Sequence, residues 1–202
     1  SEKQTTRRPK GNIFGTAMHR VFELLIERCR VDSAMDESQK DRMIDICVRQ
    51  AIKENMADIA SQELALYEEY LVKMAQCFIQ WANKTGMLKD AGEVYTELPF
   101  SFYDDTMEMK NGTEKVWMNG TADLVIQEQN RSYVVYDYKS DRDVYLTEEE
   151  FEISLKEKYS GQLYMYRQAV SRLFNIPKEN VKLRIVSFMG DEDITLKCTE
   201  IP

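Results

Sequence analysis

One histidine, four cysteines, four prolines and eight glycines in 202 residues leave little material for several common functions. Cys29, Cys47, Cys77 and Cys198 lie far apart with no Cys-x-x-Cys spacing, which argues against a zinc knuckle or an iron–sulfur cluster. Three of them fall inside helical patterns, so the four read as buried, reduced thiols of a cytoplasmic protein. No run of about eighteen apolar residues occurs, which excludes a transmembrane helix and leaves no expected membrane partner. Positive charge is in deficit, with 27 Lys and Arg against 35 Asp and Glu, a net charge of −8. Such a chain gains little from counterion release over its whole surface. A nucleic-acid partner must then be held by a local basic patch, a metal ion or a neighbouring domain. Residues 1–10 are polar and basic without an apolar core. They do not resemble a secretory signal and read as a linker or boundary segment.

What is present is ordinary globular composition, 43% hydrophobic and 31% charged, in a length that suits one domain. We expect that domain over residues 11–202, with a helical part at 11–90 and a sheet-containing catalytic core at 91–202. Apolar residues recur at helical spacing in 15–30, 36–56 and 61–84. In the last of these Leu64, Tyr67, Leu71, Met74, Phe78 and Trp81 form a stripe that predicts core. Stretches 93–103, 116–127 and 133–139 read as strands, and Asn111-Gly112 marks a turn between the first two. A helical stretch begins at Thr147, and a second helix is expected over 159–174, ending before Pro177. Strands at 181–188 and 194–198 close the chain. The predicted class is α/β, with a mixed central sheet flanked by helices and an N-terminal helical extension.

Asp137-Tyr138-Lys139 carries the strongest chemical signal. It ends the apolar run Tyr133-Val134-Val135-Tyr136, and side chains alternate along a strand, so Asp137 and Lys139 project from one face. A hairpin with the strand holding Gly120-Thr121-Ala122-Asp123 would bring a second carboxylate to them. Two carboxylates hold a hard divalent cation, and an ammonium beside them can steer or deprotonate a water. The same three letters also suit a solvated ion pair at a strand end. His19 sits on or beside the apolar face of the first helix, as a metal ligand or as a core histidine bonded to a carbonyl. Gln162 and Tyr166, four apart, share a helix face. Taken alone they read as a solvated residue and a core residue.

Four segments together resemble the RecB-like nucleases of the PD-(D/E)XK superfamily. They are Gly15-Thr16-Ala17-Met18-His19, Gly120-Thr121-Ala122-Asp123, Asp137-Tyr138-Lys139-Ser140-Asp141-Arg142, and Tyr159-x-x-Gln162-Leu163-x-x-Tyr166. The wording is most similar to the C-terminal nuclease domains of AddA-type helicase–nucleases, including the strand Glu97-Leu98-Pro99-Phe100 ahead of the Asp motif. The resemblance implies a restriction-endonuclease-like core and metal-dependent DNA cleavage, exonucleolytic in kind. It implies that His19, Asp123, Asp137 and the Tyr138 carbonyl bind Mg²⁺ or Mn²⁺, and that Lys139 is catalytic together with Asp137 and Asp123. Gln162, Tyr166 and Arg142 would contact DNA, and Glu97 is an additional candidate. Linear ends or single strands are the implied substrate. A parent helicase motor and a partner nuclease are the implied company, in double-strand break repair and recombination. The four-cysteine iron–sulfur pattern of some relatives is absent, so no iron–sulfur cluster is expected.

Two other classes of function compete with this reading. One is a non-catalytic DNA-binding module that retains the fold. The other is a protein-docking domain built on the acidic helices of 36–84.

Overall fold

The computed structural model describes residues 8–9, 11–31, 35–104, 108–109, 112–113, 116–141 and 146–202. Three helices come first: α1 (Asn12–Val31), α2 (Glu37–Asn55) and α3 (Ser61–Thr85). Then follow β1 (Val94–Asp104), the short strands β2 (Glu108–Met109) and β3 (Gly112–Thr113), β4 (Val116–Gln127) and β5 (Tyr133–Tyr138). The helix α4 (Glu148–Phe174) crosses to β6 (Val181–Met189), and β7 (Thr195–Ile201) ends the chain. The main sheet has the order β1-β4-β5-β6-β7. Only β5 and β6 run parallel, and they are the two strands separated by α4. That fits the need of parallel neighbours for a long crossover. The architecture is a mixed five-stranded sheet between helices, the α/β arrangement expected from the sequence.

The helices form where the periodicity predicts them. Asp36 caps α2 in a capping box with Gln39, and Thr147 caps α4 with Glu150. Two apolar layers result. On one face of the sheet α1, α2 and α3 pack on Leu124, Ile126, Val134, Tyr136, Tyr138 and Phe188. On the other, Phe151, Leu155, Leu163, Tyr166 and Val170 of α4 pack on Val125, Val135, Leu183 and Ile185. The stripe predicted on α3 is core: Tyr67, Leu71, Met74 and Phe78 are buried, and Leu64 and Trp81 pack against them half-buried.

Three expectations need correction. The two helices read over 147–174 are one helix of 27 residues. Ser160-Gly161 does not break it, because Phe151, Leu155, Leu163, Tyr166 and Val170 hold a single stripe on the sheet. The cysteines are not uniformly buried: Cys47 is, Cys29 and Cys77 are half-buried, and Cys198 on β7 is exposed. Arg8, read as part of a solvated basic linker, is 1% exposed. Its guanidinium donates to the carbonyls of Phe188, Gly190 and Ser140, and its backbone N–H donates to Asp191. A guanidinium holds its charge when buried only if its donors find acceptors, and these carbonyls provide them. The neighbouring Arg7 and Lys10 lie outside the described residues, as does Arg142.

Candidate metal and phosphodiester-cleavage site

Two strand ladders part company at one level of the sheet. The last pair of β4 with β5 is Leu124 opposite Tyr136, so the register sets Asp123 opposite Asp137 one step beyond it. On its other edge β4 pairs with β1 at Leu124–Thr96 and again at Ala122–Leu98, skipping Asp123 and Glu97. Alternation reverses there as well: Leu124 faces α1–α3, whereas Ala122, two residues away, faces α4. Glu97 takes a φ of 49°, a left-handed conformation that costs a non-glycine residue roughly 1–3 kcal/mol. The kink thus lines up Glu97, Asp123 and Asp137 across three adjacent strands.

The end of β5 is held from three sides. Tyr138 sends its ring into the core among Phe22, Phe78 and His19, at centroid distances of 5.0, 5.7 and 5.7 Å. Its backbone N–H donates to Asp123 Oδ2 at 2.7 Å, and its carbonyl accepts from His19 Nε2 at 2.8 Å. The next N–H, that of Lys139, donates to Val186 on β6. Gly15 of α1 lies so close to the following segment that an added Cβ would stand 3.1 Å from Ser140 Oγ. On β4, a Cβ at Gly120 would meet the Phe100 ring at 2.7 Å. Both glycines permit close approaches that bring α1, β1 and β4 around the site.

His19, Glu97 and Asp123 offer ligand atoms that all lie within 4.8 Å of one another. His19 Nδ1 is 3.4 Å from Asp123 Oδ1. Burial alone would lower the pKa of His19, but the hydrogen bond and charge of Asp123, with Asp137 and the Tyr138 carbonyl, raise it on balance. Glu97 is pushed up by burial and by Asp123. Asp137 is 1% exposed and is pushed up to about 7, first by burial and then by Asp123, against the attraction of Lys139. Lys139 Nζ stands 2.7 Å from Asp137 Oδ2. That contact lies off the hydrogen-bonding direction, and Asp137 Oδ1 has no hydrogen-bond partner among the described residues. A buried carboxylate with open lone pairs, beside a second carboxylate, an acid and an imidazole, is a donor set that suits a hard divalent cation.

Lys139 is fixed by more than Asp137. Its ammonium donates to Gln162 Oε1 at 3.0 Å and lies 4.3 Å from the centre of the Tyr159 ring. Gln162 in turn donates through Nε2 to the Tyr166 hydroxyl at 2.7 Å. Tyr166 is only 3% exposed, with its ring against Phe100, so it reaches the site through Gln162 rather than offering a surface to DNA. Tyr159 also donates to Asp141, which is paired with Lys158. The sequence alone assigns no role to Tyr159 or Asp141. The signal for Tyr159 is its place one helical turn before Gln162, on the face that meets Lys139. Glu97, an additional candidate in the sequence, takes a central position, while Asp137 lies on the far side of Asp123 from it in the register.

Comparison with known proteins agrees with this geometry. The family model described as the PD-(D/E)XK nuclease superfamily matches residues 2–195. An ATP-dependent helicase/nuclease (AddA-type chain) of Exiguobacterium sibiricum is 26% identical over 171 residues, which is 80% of this chain and 13% of that protein. Its counterpart in Geobacillus thermodenitrificans is 30% identical over 176 residues, 81% of this chain and 13% of that protein. This chain therefore spans about an eighth of the length of these relatives. The crystal structure of SSO0001 overlaps 90% of this chain and 78% of its own, at 19% identity and a TM-score of 0.32, too loosely to add to the argument. The family-model match over nearly the whole chain, on a mixed sheet whose kink gathers acidic residues beside a lysine, makes this chain a member of the PD-(D/E)XK nuclease superfamily.

Proposed function

We propose that this chain is a metal-dependent deoxyribonuclease, exonucleolytic in action, that hydrolyses phosphodiester bonds in linear DNA ends or single strands. The observation that carries the proposal is Asp137. It is buried and held near neutrality, with one carboxylate oxygen free of protein hydrogen bonds and the Lys139 ammonium against the other. A fold gains nothing from that arrangement unless a cation recovers the cost. His19, Asp123, Asp137 and the Tyr138 carbonyl would hold Mg²⁺ or Mn²⁺, with Glu97 close enough to join them. Such a cation neutralises phosphate oxygens and acidifies a bound water. Because His19 Nε2 now donates to the Tyr138 carbonyl, ligation by both groups requires the ring to give up that hydrogen bond.

The chain's own residues supply the rest. Lys139 places an ammonium beside the reacting phosphate to orient the attacking water or to meet developing charge. Proton transfer or positioning of this kind is worth about 10²–10⁴-fold. Gln162, held by Tyr166, and the Tyr159 ring keep that ammonium from swinging into solvent. The relatives' names support a place in an ATP-dependent helicase–nuclease. Its motor would be supplied outside these residues, and a partner nuclease would work with it in double-strand break repair and recombination.

The test is cleavage of a labelled single strand in Mn²⁺ by wild type and Asp137→Ala, with circular dichroism to show that both are folded. We expect cleavage by wild type and none by the variant. Wild-type rates in folded Asp137→Ala would overturn the assignment.

A further inference from the structure

Past the level where β4 leaves β5, β1 and β4 continue as a two-stranded ribbon, residues 98–104 against 116–122. One face packs on α4, with Phe100 against Tyr166 and Phe102 under the Arg172 guanidinium. The opposite face carries Pro99, Ser101 and Tyr103 of β1 and Trp117, Asn119 and Thr121 of β4, all exposed. Tyr103 and Trp117 are register partners with ring centroids 4.5 Å apart, and they are 56% and 53% exposed. An aromatic pair so open to water is an unusual use of apolar surface on a strand pair.

Two properties of this face point to its occupant. It begins at the level of Glu97 and Asp123, so it is continuous with the candidate site. Six positions separate Glu97 from Tyr103, or about 20 Å at roughly 3.3 Å per residue. It is also free of charge: none of its six side chains is ionised, in a chain whose net charge is −8. A polyanion lying along it meets hydroxyl and amide groups and then two aromatic rings, with no carboxylate on the face itself. Aromatic side chains beside a strand-binding groove stack on bases whatever their identity, but only where the bases are unpaired.

We propose that this face is a track for single-stranded nucleic acid running from the cleavage site, and that Tyr103 and Trp117 stack on an unpaired base at its far end. The inference rests on the nuclease reading and deepens it by naming the single strand as the form of substrate held.

Trp117 provides its own probe. The second tryptophan, Trp81, packs between Phe78 and Tyr136, so Trp81→Phe leaves Trp117 as the sole emitter. In Mn²⁺, a phosphorothioate oligothymidine should quench Trp117 saturably, and a blunt duplex should not. Tyr103→Ala and Trp117→Ala should each raise KM for single-strand cleavage about fivefold to a hundredfold, the loss expected for one stacked base, with a smaller change in kcat. Absence of quenching, or an unchanged KM in variants that still cleave, overturns the track. A blue shift of Trp117 that follows protein concentration without DNA also overturns it, in favour of a protein contact. If the strand quenches Trp117 while wild type cleaves nothing, the track stands and the nuclease reading falls.

Discussion

Burial drives the Asp137 carboxyl up to about 7 against the attraction of an ammonium 2.7 Å away. Lys139 is therefore the group whose removal best separates chemistry from folding. Lys139→Ala deletes the ammonium and none of the candidate metal ligands. Mn²⁺ should still raise the melting temperature of the variant, while single-turnover cleavage of a labelled strand falls by about two to four orders of magnitude. Lys139→Arg should not restore the rate. A planar guanidinium cannot reproduce one ammonium shared among Asp137, Gln162 and the Tyr159 ring. Near-wild-type turnover in Lys139→Ala would take the lysine out of the mechanism. His19 is tested by a different readout. If it ligates the cation, His19→Ala should shrink the Mn²⁺-induced shift in melting temperature, and an equal shift in both proteins would leave it a core histidine.

Among the elements, α4 makes the most connections. It crosses from β5 to β6, covers one sheet face, and carries Tyr159, Gln162 and Tyr166 to Lys139. Gly161 lies mid-helix, exposed, with nothing within 4 Å of where a Cβ would stand. Gly161→Ala should stabilise the fold by about 0.5–1 kcal/mol in urea unfolding, since the helix loses a glycine and gains no clash. Destabilisation would mean that α4 is not the continuous helix described. The parallel pair β5–β6 has its own tie at the other end, where Lys182 at the start of β6 donates to Glu128. Burial raises the pKa of Glu128, but the Lys182 hydrogen bond and charge, with Ser132, outweigh it and hold the group below the usual carboxylate range. A depressed folded-state pKa contributes stability that is present above the unfolded value, roughly 4.3, and is lost as pH falls through the folded value. Lys182→Met should therefore cost stability at pH 7, with the difference from wild type fading in acid. A difference that is constant from pH 7 to pH 3 would show that the loss is one of packing alone.

Taken whole, the molecule is an acidic body with a short neutral track and a metal site at its root. Its net charge of −8 opposes a polyanion, and Arg8, one of the few N-terminal cations, is engaged with carbonyls inside the fold. We expect weak, non-specific DNA binding by this chain at physiological salt, with a shallow salt dependence. A handful of phosphate contacts corresponds to a log–log slope of only about −2 to −4. A titration that gives tight, sequence-selective binding, or a slope near about −10, would point to a dedicated DNA reader. Among the described residues no helix is long and apolar enough to cross a membrane.

Periodicity alone determined most of the elements: α2, α3, β4 and β5 lie within a residue or so of where apolar spacing and caps place them. That works because helix and strand repeats are local properties of the chain. Asp137 and Lys139 on one face followed from strand alternation in the same way. The break wrongly expected near Gly161 shows the limit of local reasoning, since the sheet surface under Phe151, Leu163 and Val170 carries the helix through a poor helix former. The site itself belongs to the tertiary structure. Glu97 faces Asp123 only because two ladders keep register across a kink where both strands change face, and no window of sequence contains both strands. Tyr166 changed from a candidate DNA contact to a buried support for Gln162, because α4 lies flat on the sheet. Arg8 is 180 residues from the Phe188 carbonyl it binds. Long-range pairings of this kind depend on where whole elements pack, which the spacing of residues along the chain does not encode.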